Sequence, residues 1–359
     1  MSFPELPDFP WDVLADHAAR ARTHPDGVVD LSMGTPVDPV PPLIQAALTT
    51  AAELPGYPTT HGLPELRAAA VAALERRHGV PGLDQDAVLP TIGSKELVAW
   101  LPTLLGVKSV VIPEVAYPTY EVGARLAGAS SVRTDGLTAL GPAAPGLIWL
   151  NSPSNPTGRV LPVEHLRKVI AWARERGTIV ASDECYLALG WETEPVSVLH
   201  PSVSDGDLTG ILAVHSLSKT SSLAGYRAGF VTGDPALVRG LLEVRKHAGL
   251  IVPRPVQAAM TAALSDDEHI ATQRSRFAAR RAHLRPALES AGFRIDHSEA
   301  GLYLWATRDE PAWTTTEWLA TRGILVAPGT FYGPAGSHHV RIALTAPDDH
   351  IASAVTRLQ

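Results

Sequence analysis

Short apolar segments alternate with longer amphipathic segments over the first two thirds of the chain. The amphipathic segment at 162–177 repeats apolar residues at helical spacing and stops at Gly177, which is typical of a helix. Apolar runs that end in polar residues, glycine or proline are typical of strands buried on both faces of a sheet. Such runs lie at 109–112, 147–150, 178–181, 211–214 and 228–231. The alternation predicts an α/β fold with a mainly parallel sheet.

The pattern changes beyond about residue 246. A long helical stretch covers 266–292, and short apolar runs follow it at 293–295, 302–305, 324–326 and 340–344. Helices and strands in this arrangement are typical of an α+β domain. We therefore predict three parts, which are an arm at 1–33 that also contributes to the smaller domain, a large domain at 34–245, and a small α+β domain at 246–359.

The composition is that of an ordinary globular protein. Hydrophobic residues make up 45% of the 359 positions and charged residues 19%, and the formal net charge is −7 without any block of like charge. A nucleic-acid partner is therefore not expected. The first residues contain neither a basic start nor an apolar run, and no apolar stretch approaches the roughly 18 residues that span a bilayer. We expect a cytoplasmic protein that does not bind membranes.

Several kinds of site are excluded by the motifs that are missing. Cys185 is the only cysteine, so an intramolecular disulfide and a CxxC metal site are impossible, and we expect its side chain to be packed rather than catalytic. GxGxxG, GxxxxGK[ST] and HExxH do not occur. Ser216 and Lys219 spell the SxxK motif of acyl-serine enzymes, but its SDN and KTG partners are missing. No metal site is expected.

Polar side chains follow three of the predicted strands directly. The runs at 147–150, 178–181 and 211–214 continue into NSPSNPTG, SDECY and HSLSKTSSLAGYR. Because ligands gather at the carboxyl ends of parallel strands, we expect these segments to share one site. The side chains that they supply there are Asn155, Asp183, Tyr186, Ser216, Ser218, Lys219 and Arg227.

This mixture of groups suits pyridoxal 5'-phosphate. Its aldehyde needs a lysine amine, and its ring nitrogen needs a carboxylate to stay protonated, which are roles for Lys219 and Asp183. Its ionised ring hydroxyl needs donors, which the amide of Asn155 and the phenol of Tyr186 can supply. The chain contains asparagine only at 151 and 155. For Asn151 we expect a role in shaping the loop.

At these segments the chain resembles the fold type I aminotransferases of class I/II. The resemblance is carried by NPTG at 155–158, DECY at 183–186 and SLSKTSSLAGYR at 216–227, in the family's order and spacing. It implies an α/β fold with a mainly parallel seven-stranded sheet flanked by helices and a smaller α+β domain. It also implies that Asn155 and Tyr186 bind the ring oxygen, Asp183 the pyridine nitrogen, Lys219 the aldehyde, and Ser216 and Arg227 the phosphate.

Further matches extend the resemblance to the rest of the cofactor site. Ser94 and Lys95 in TIGSKE resemble the family's phosphate loop at a helix start, where free N–H groups favour an anion. Tyr117 in AYPTY resembles the aromatic residue that stacks on the ring face. Tyr57 in GYPTTHGLPELR resembles the tyrosine that reaches the phosphate of the neighbouring subunit, which implies a homodimer with shared sites.

The resemblance also implies how the amino-acid substrate binds. Arg341 in HHVRIAL resembles the arginine that grips the substrate α-carboxylate, and Gly34 in SMGTP would lie close to that carboxylate. A second cationic region is needed for a long dicarboxylic substrate. Lys246, His247 and Arg254 are the candidates for it, and none is favoured by its surroundings in the sequence.

The segments LPDFPWDVL, VDLSMGTPVDPVPPLIQAAL and PGYPTTHGLPELR most resemble the actinobacterial succinyldiaminopimelate aminotransferases of lysine biosynthesis. The resemblance implies exchange of an amino group between N-succinyl-LL-2,6-diaminopimelate and 2-oxoglutarate, which gives N-succinyl-2-amino-6-oxopimelate and glutamate and runs in reverse in biosynthesis. An aspartate-, aromatic- or histidinol-phosphate-type aminotransferase would share every cofactor residue. A carbon–sulfur β-lyase of the same fold, which releases ammonia, is a further alternative. A DNA-binding regulator is disfavoured because only about 30 residues precede SMGTP.

Overall fold

In the computed structural model, which describes residues 5–359, the strands form one seven-stranded, one four-stranded and one two-stranded sheet. The strands are β1 (Val29–Asp30), β2 (Val88–Ile92), β3 (Ser109–Ile112), β4 (Ser130–Arg133), β5 (Leu147–Asn151), β6 (Ile179–Asp183), β7 (Ile211–Ser216), β8 (Ala228–Gly233), β9 (Arg294–Asp296), β10 (Tyr303–Thr307), β11 (Ile324–Leu325), β12 (Ala327–Pro328) and β13 (Val340–Ala343).

Helices surround these sheets. They are α1 (Pro10–Val13), α2 (Ala15–Arg22), α3 (Pro42–Thr50), α4 (Pro64–His78), α5 (Gly93–Leu105), α6 (Thr119–Leu126), α7 (Val163–Arg176), α8 (Pro201–Ser204), α9 (Pro235–Ala248), α10 (Arg254–Ser265), α11 (Glu268–Ser290), α12 (Ala312–Ala320) and α13 (Asp348–Leu358). None of these helices is both long enough and apolar enough to cross a lipid bilayer.

The large sheet has the strand order β2-β8-β7-β6-β5-β3-β4. Strand β8 runs antiparallel to both of its neighbours, whereas the pairs from β7 to β4 are all parallel. The predicted α/β fold with a mainly parallel seven-stranded sheet is therefore confirmed. The three strands that carry the candidate chemistry, β5, β6 and β7, are direct neighbours in it.

Helices cover both faces of this sheet. Helix α7 buries the apolar residues that repeat at helical spacing, which are Leu166, Val169, Ile170 and Ala173. Gly177 ends the helix with a left-handed φ of 63°. Those residues share a core cluster with Ile148 and Leu150 of β5. Leu147 and Trp149, which alternate with them along the strand, belong to a second cluster that includes helix α5. The alternation of β5 thus builds one core on each face.

The four-stranded sheet has the order β12-β13-β10-β9, with every pair antiparallel. The strands predicted near 293, 302, 324 and 340 are all present. The predicted helix at 266–292 forms as α11, and it packs against α13. In the register of β10 and β13, Trp305 lies opposite Arg341, so this sheet carries the candidate substrate arginine.

The amino-terminal segment packs on the elements around the smaller sheet. Helix α2 contacts α12, and β1 pairs in parallel with β11 through Val29 and Ile324. Helix α10, in contrast, packs against α3 and α4, and its Met260 and Ala263 belong to a core cluster of the large sheet. The domain boundaries at 33 and 245 stay predictions, and residues 1–4 of the predicted arm lie outside the described part.

Candidate active site

Three neighbouring strands end together at one edge of the large sheet. Asn151 ends β5, Asp183 ends β6 and Ser216 ends β7. Asn151 and Asp183 are paired in register. The strand topology therefore brings the three predicted segments into one place, as expected from parallel strands.

Lys219 follows β7 and points to the segment that leads out of β1. Its amine donates a hydrogen bond to the carbonyl oxygen of Gly34. Burial lowers the pKa of this amine, while the phenol of Tyr303 and the thiol of Cys185 act to raise it. A lysine with a lowered pKa has a larger neutral fraction, and the neutral amine is the form that attacks a carbonyl group.

Asp183 is buried, and each of its carboxylate oxygens has a donor. The Cys185 N–H donates to Oδ1 at 3.2 Å, and the hydroxyl of Tyr120 donates to Oδ2 at 2.9 Å. Burial raises the pKa of Asp183, and the hydrogen bonds from Cys185 and Tyr120 lower it. A carboxylate held in this way can face a cationic ring nitrogen.

The two asparagines of the loop after β5 have different surroundings. The Asn151 amide donates to the carbonyl oxygens of Pro153 and Asp183, and its Oδ1 accepts from the Asn155 N–H at 2.7 Å. Asn151 therefore shapes the loop. The Oδ1 of Asn155 accepts from Nη1 of Arg341 at 2.9 Å, which leaves the Nδ2 donors of Asn155 for another acceptor.

Arg341 is a buried cation surrounded by phenol rings. Its Nη2 donates to the Ser32 carbonyl oxygen at 2.6 Å, and its guanidinium lies 4.1 Å from the ring centre of Tyr303 and 5.1 Å from that of Tyr332. Its Nε is buried without a hydrogen-bond partner within the described residues. Burial acts to lower the pKa of Arg341, but the tyrosines around it raise it overall, so it stays charged.

Gly34 and two tyrosines connect the lysine to the arginine. A Cβ atom at Gly34 would lie 2.1 Å from the hydroxyl oxygen of Tyr303, so only glycine fits there. The same hydroxyl lies 3.1 Å from the hydroxyl of Tyr186. Burial raises the pKa of Tyr186 well above its usual value, which keeps this phenol protonated and able to donate.

A second group of residues meets at the start of helix α5. Gly93 has a φ of +70°, and a Cβ atom there would lie 2.3 Å from Nη2 of Arg227. Ser94, the next residue, accepts a hydrogen bond from the thiol of Cys185 at 3.3 Å. The free N–H groups of the helix start, the Ser94 hydroxyl and the Arg227 guanidinium are the donors that a phosphate needs.

The remaining predicted site residues make contacts other than those of the two groups above. Lys95 directs its ammonium group toward the ring of Phe9, at 5.8 Å from the ring centre. Tyr117 packs edge-on against Tyr120 at 5.8 Å, and burial raises its pKa to about 12. Tyr57 is 99% exposed and is not brought to the site within this chain. Lys246 pairs with Glu243 on the surface of α9.

Sequence reasoning missed several residues around the site. Glu96 forms a bidentate ion pair with the buried Arg245 at 2.7 and 2.9 Å and also accepts from the Ile92 N–H at 3.1 Å, which fixes the start of α5. Tyr120 and Tyr303 contact predicted residues directly. Glu96 and Tyr120 lie within the segments TIGSKE and AYPTY, but neither segment indicates their partners Arg245 and Asp183, which lie far away along the chain.

Comparison with known proteins identifies the family of this chain. The model of the aminotransferases of class I and II matches residues 26–358. The chain belongs to this family.

Several similar proteins are named aminotransferases or transaminases. A probable aminotransferase of Mycobacterium tuberculosis is 67% identical over 98% of this chain and 85% of the relative. The 4-dedimethylamino-4-oxo-anhydrotetracycline transaminase OxyQ of Streptomyces rimosus is 57% identical over 99% of both chains. The structure of a probable N-succinyldiaminopimelate aminotransferase from Thermus thermophilus superposes with a TM-score of 0.87 at 29% identity, covering 98% of this chain and 99% of that one.

Aminotransferases of this family use pyridoxal 5'-phosphate, and the residues of this one fit that group on two observations. The Gly93 and Arg227 pair forms a cradle that any Cβ atom would fill, beside a helix start. The strand edge combines a partly buried amine, a buried carboxylate with its own donors, and an amide with free N–H groups. These groups are complementary to an aldehyde, a ring nitrogen and a ring oxygen.

Proposed function

We propose that this aminotransferase exchanges an amino group between N-succinyl-LL-2,6-diaminopimelate and 2-oxoglutarate, and that biosynthesis of lysine runs the exchange in reverse. Two observations support this substrate. The segments around SMGTP and PGYPTTHG resemble the actinobacterial succinyldiaminopimelate aminotransferases, and the structure of a probable N-succinyldiaminopimelate aminotransferase from Thermus thermophilus superposes along nearly the whole chain. We further propose that the enzyme acts in the cytoplasm.

The proposal that the substrate is an amino acid rests on the surroundings of the buried Arg341. Its guanidinium forms no salt bridge with any carboxylate in residues 5–359, and its Nε has no partner there. A buried cation without an anion is costly. A substrate α-carboxylate would supply both the charge and the missing acceptor, and both amino-acid and keto-acid substrates carry one.

We assign the remaining residues to the cofactor in the same proposal. Pyridoxal phosphate, when bound, supplies the electron sink for removing the substrate α-proton. Lys219 would bind the cofactor aldehyde, and its amine would take up the proton from the substrate Cα. Asp183 keeps the ring nitrogen charged, and Asn155 and Tyr186 donate to the ring oxygen. The phosphate is bound by Ser94, Lys95, Ser216 and Arg227, Tyr117 stacks on the ring, and Gly34 lies near the substrate carboxylate.

A second candidate substrate follows from the relative OxyQ. Its name specifies a 4-oxo group, so the compound that it transaminates is a ketone, and the 57% identity over 99% of both chains supports a similar substrate here. A ketone without an α-carboxylate would leave Arg341 without its anion in that half of the reaction. The two candidates therefore differ in what they require of Arg341.

A panel of half-reactions separates the candidates. The pyridoxal form of the enzyme is mixed with glutamate, aspartate, phenylalanine, histidinol phosphate or N-succinyl-LL-diaminopimelate, and conversion to pyridoxamine phosphate is followed by absorbance. We expect fast conversion with glutamate and with the succinylated compound. The pyridoxamine form is then mixed with the 4-oxo-anhydrotetracycline compound. Fast reaction with that ketone, and none with the succinylated donor, would exclude the diaminopimelate proposal and leave the aminotransferase activity intact.

A further inference from the structure

Tyr120 makes the only side-chain hydroxyl contact with Asp183 among the described residues. It lies in helix α6, is fully buried, and donates to Oδ2 at 2.9 Å. Among the described residues, the other carboxylate oxygen, Oδ1, accepts only from the backbone N–H of Cys185. Nothing in the motifs around Asp183 points to Tyr120, which lies 63 residues earlier along the chain.

Two aromatic neighbours fix the Tyr120 ring. Trp149 of β5 stacks on it with ring centres 5.0 Å apart and an interplanar angle of 24°. Tyr117 packs against it edge-on at 5.8 Å and 88°. Because the ring cannot turn without displacing both neighbours, the direction of its hydroxyl toward Asp183 is set before any cofactor binds.

The surroundings of Asp183 give this hydroxyl a specific electrostatic role. The titratable groups that face the carboxylate are Tyr117 and Tyr120 from the α6 side and Glu184 and Cys185 from its own strand end, and none of them is a cation. Burial raises the pKa of Asp183, whereas the hydrogen bonds from Cys185 and Tyr120 lower it. Donated hydrogen bonds, rather than a positive charge, oppose protonation of this carboxylate within the protein.

We propose that Tyr120 is a positioning residue that keeps Asp183 ionised and aimed at the cofactor ring nitrogen. The proposal rests on the role of Asp183 in the proposed function. With Tyr120 in place, the proton between the carboxylate and the ring resides on the ring nitrogen. Without the hydroxyl, the buried carboxylate binds the proton more strongly, and the ring nitrogen loses charge.

The test compares wild type with Tyr120→Phe, which removes only the hydroxyl. Each holoenzyme is prepared with pyridoxal phosphate labelled with nitrogen-15 in the ring, and the NMR shift of that nitrogen reports its protonation. We expect a protonated nitrogen in wild type and a clear displacement toward the unprotonated value in Tyr120→Phe. We also expect the dissociation constant for pyridoxal phosphate to rise about tenfold, since a hydrogen bond to a charged group is lost. Thr315→Val, which removes a buried hydroxyl of helix α12 that donates to the Glu310 carboxylate at 2.8 Å, is the matched control and should change neither value.

The outcomes distinguish failure of the role proposed for Tyr120 from failure of the role proposed for Asp183. An unchanged nitrogen-15 shift and an affinity within twofold of wild type in Tyr120→Phe would overturn the role of Tyr120. An unprotonated ring nitrogen in wild type would instead overturn the role of Asp183 in the proposed function. If Tyr120→Phe does not fold, 3-fluorotyrosine introduced at Tyr120 replaces it. This stronger donor should raise the pKa at which the ring nitrogen loses its proton, read from the pH dependence of the nitrogen-15 shift, and an unchanged or lower value would overturn the proposal.

Discussion

At the scale of single residues, Arg341 differs from the other buried arginines. Arg245 is paired with Glu96, and Arg280 is paired with Asp38 at 2.6 Å. Arg341 has phenol rings and neutral oxygens around it instead. The fold pairs these structural arginines with its own carboxylates but leaves the buried guanidinium of Arg341 without an anion. Arg341 therefore presents a binding site for an anion.

Arg341→Ala should therefore weaken substrate binding without unfolding the protein. We expect KM for the amino-acid donor to rise roughly 10- to 100-fold, because a hydrogen-bonded charge pair is lost, while occupancy by pyridoxal phosphate changes little. Steady-state kinetics and the absorbance of the bound cofactor measure the two effects. Arg280→Ala is the contrasting control, since it removes the cation paired with Asp38 and should lower stability instead. Parallel loss of cofactor and substrate binding in Arg341→Ala would show that Arg341 is structural.

The sequence predicts the residues that have their own motif and misses those that act on them. Lys219 and Asp183 directly follow predicted strands, so parallel topology alone brings them together. Tyr303 and Tyr120 reach the site through tertiary packing, and Arg245 reaches Glu96 from 149 residues away. The apolar run at 302–305 places Tyr303 in a predicted strand, but such patterns carry no information about which polar group a residue contacts.

At the scale of elements, helix α5 offers a controlled comparison between its two ends. Gly93 begins the helix with a φ of +70°, and Gly106 follows it with a φ of +66°. A Cβ atom at Gly106 would meet no atom within 4 Å, whereas one at Gly93 would collide with Arg227. Both glycines allow a left-handed backbone, but only Gly93 also makes room for a side chain of the candidate phosphate site.

Gly93→Ala should lower the affinity for pyridoxal phosphate at least tenfold, because Arg227 must move away from the helix start. Gly106→Ala carries the same backbone strain of about 1 kcal/mol without that displacement, and its affinity should stay within twofold of wild type. Equilibrium titration of the apoenzymes with the cofactor measures both. Equal affinities in the two variants would mean that Arg227 does not hold the phosphate.

Two strands of the large sheet, β2 and β4, are not predicted from apolar runs, because both lie at edges of the sheet. Strand β2 contains Pro90 and pairs only with the antiparallel β8, so proline is tolerated at this edge. Strand β4 is the opposite edge, and its SSVR sequence is largely exposed and carries no apolar run. Buried central strands have an apolar signature, and edge strands do not need one.

At the scale of the whole molecule, a buried acid beside a buried base makes stability depend on pH. Glu184 and His215 approach to 3.8 Å, and the facing Oε2 and Nε2 atoms have no hydrogen-bond partner in the described residues. Burial raises the pKa of Glu184 to about 7 and lowers that of His215 to about 3. Protonated Glu184 therefore stabilises the fold below pH 4.5, and this contribution is lost as pH rises toward 7. Neutral His215 stabilises it above pH 6.5, and that contribution is lost as pH falls toward 3.

Replacing Glu184 should remove its contribution to the dependence of stability on pH. The free energy of unfolding of Glu184→Gln relative to wild type is expected to become more favourable by up to about 3 kcal/mol between pH 5 and pH 8, since glutamine does not ionise. Urea unfolding at both pH values measures the difference. Glu243→Gln, at an exposed surface position, should show no comparable change. A difference between Glu184→Gln and wild type that does not vary with pH would contradict the raised pKa.

Several apolar side chains in the segment 33–57 are exposed to solvent. Met33, Val37, Leu54 and the fully exposed Tyr57 lie in it. These four side chains are accessible to a second copy of the chain. This exposure agrees with the proposal that two copies of the chain form a dimer in which Tyr57 completes the neighbouring site.

Shared sites predict complementation between two defective variants. Lys219→Ala should bind cofactor without turnover, and Tyr57→Ala should lose activity at limiting cofactor. In a mixed dimer the site that retains Lys219 receives Tyr57 from the other subunit and is complete, so random mixing should restore about a quarter of all sites. Activity after refolding the mixture measures this recovery. Mixing Lys219→Ala with Arg341→Ala is the control, because both residues belong to one subunit's site and no complete site can form. Recovery in that control, or none in the first mixture, would show that Tyr57 does not act across a dimer.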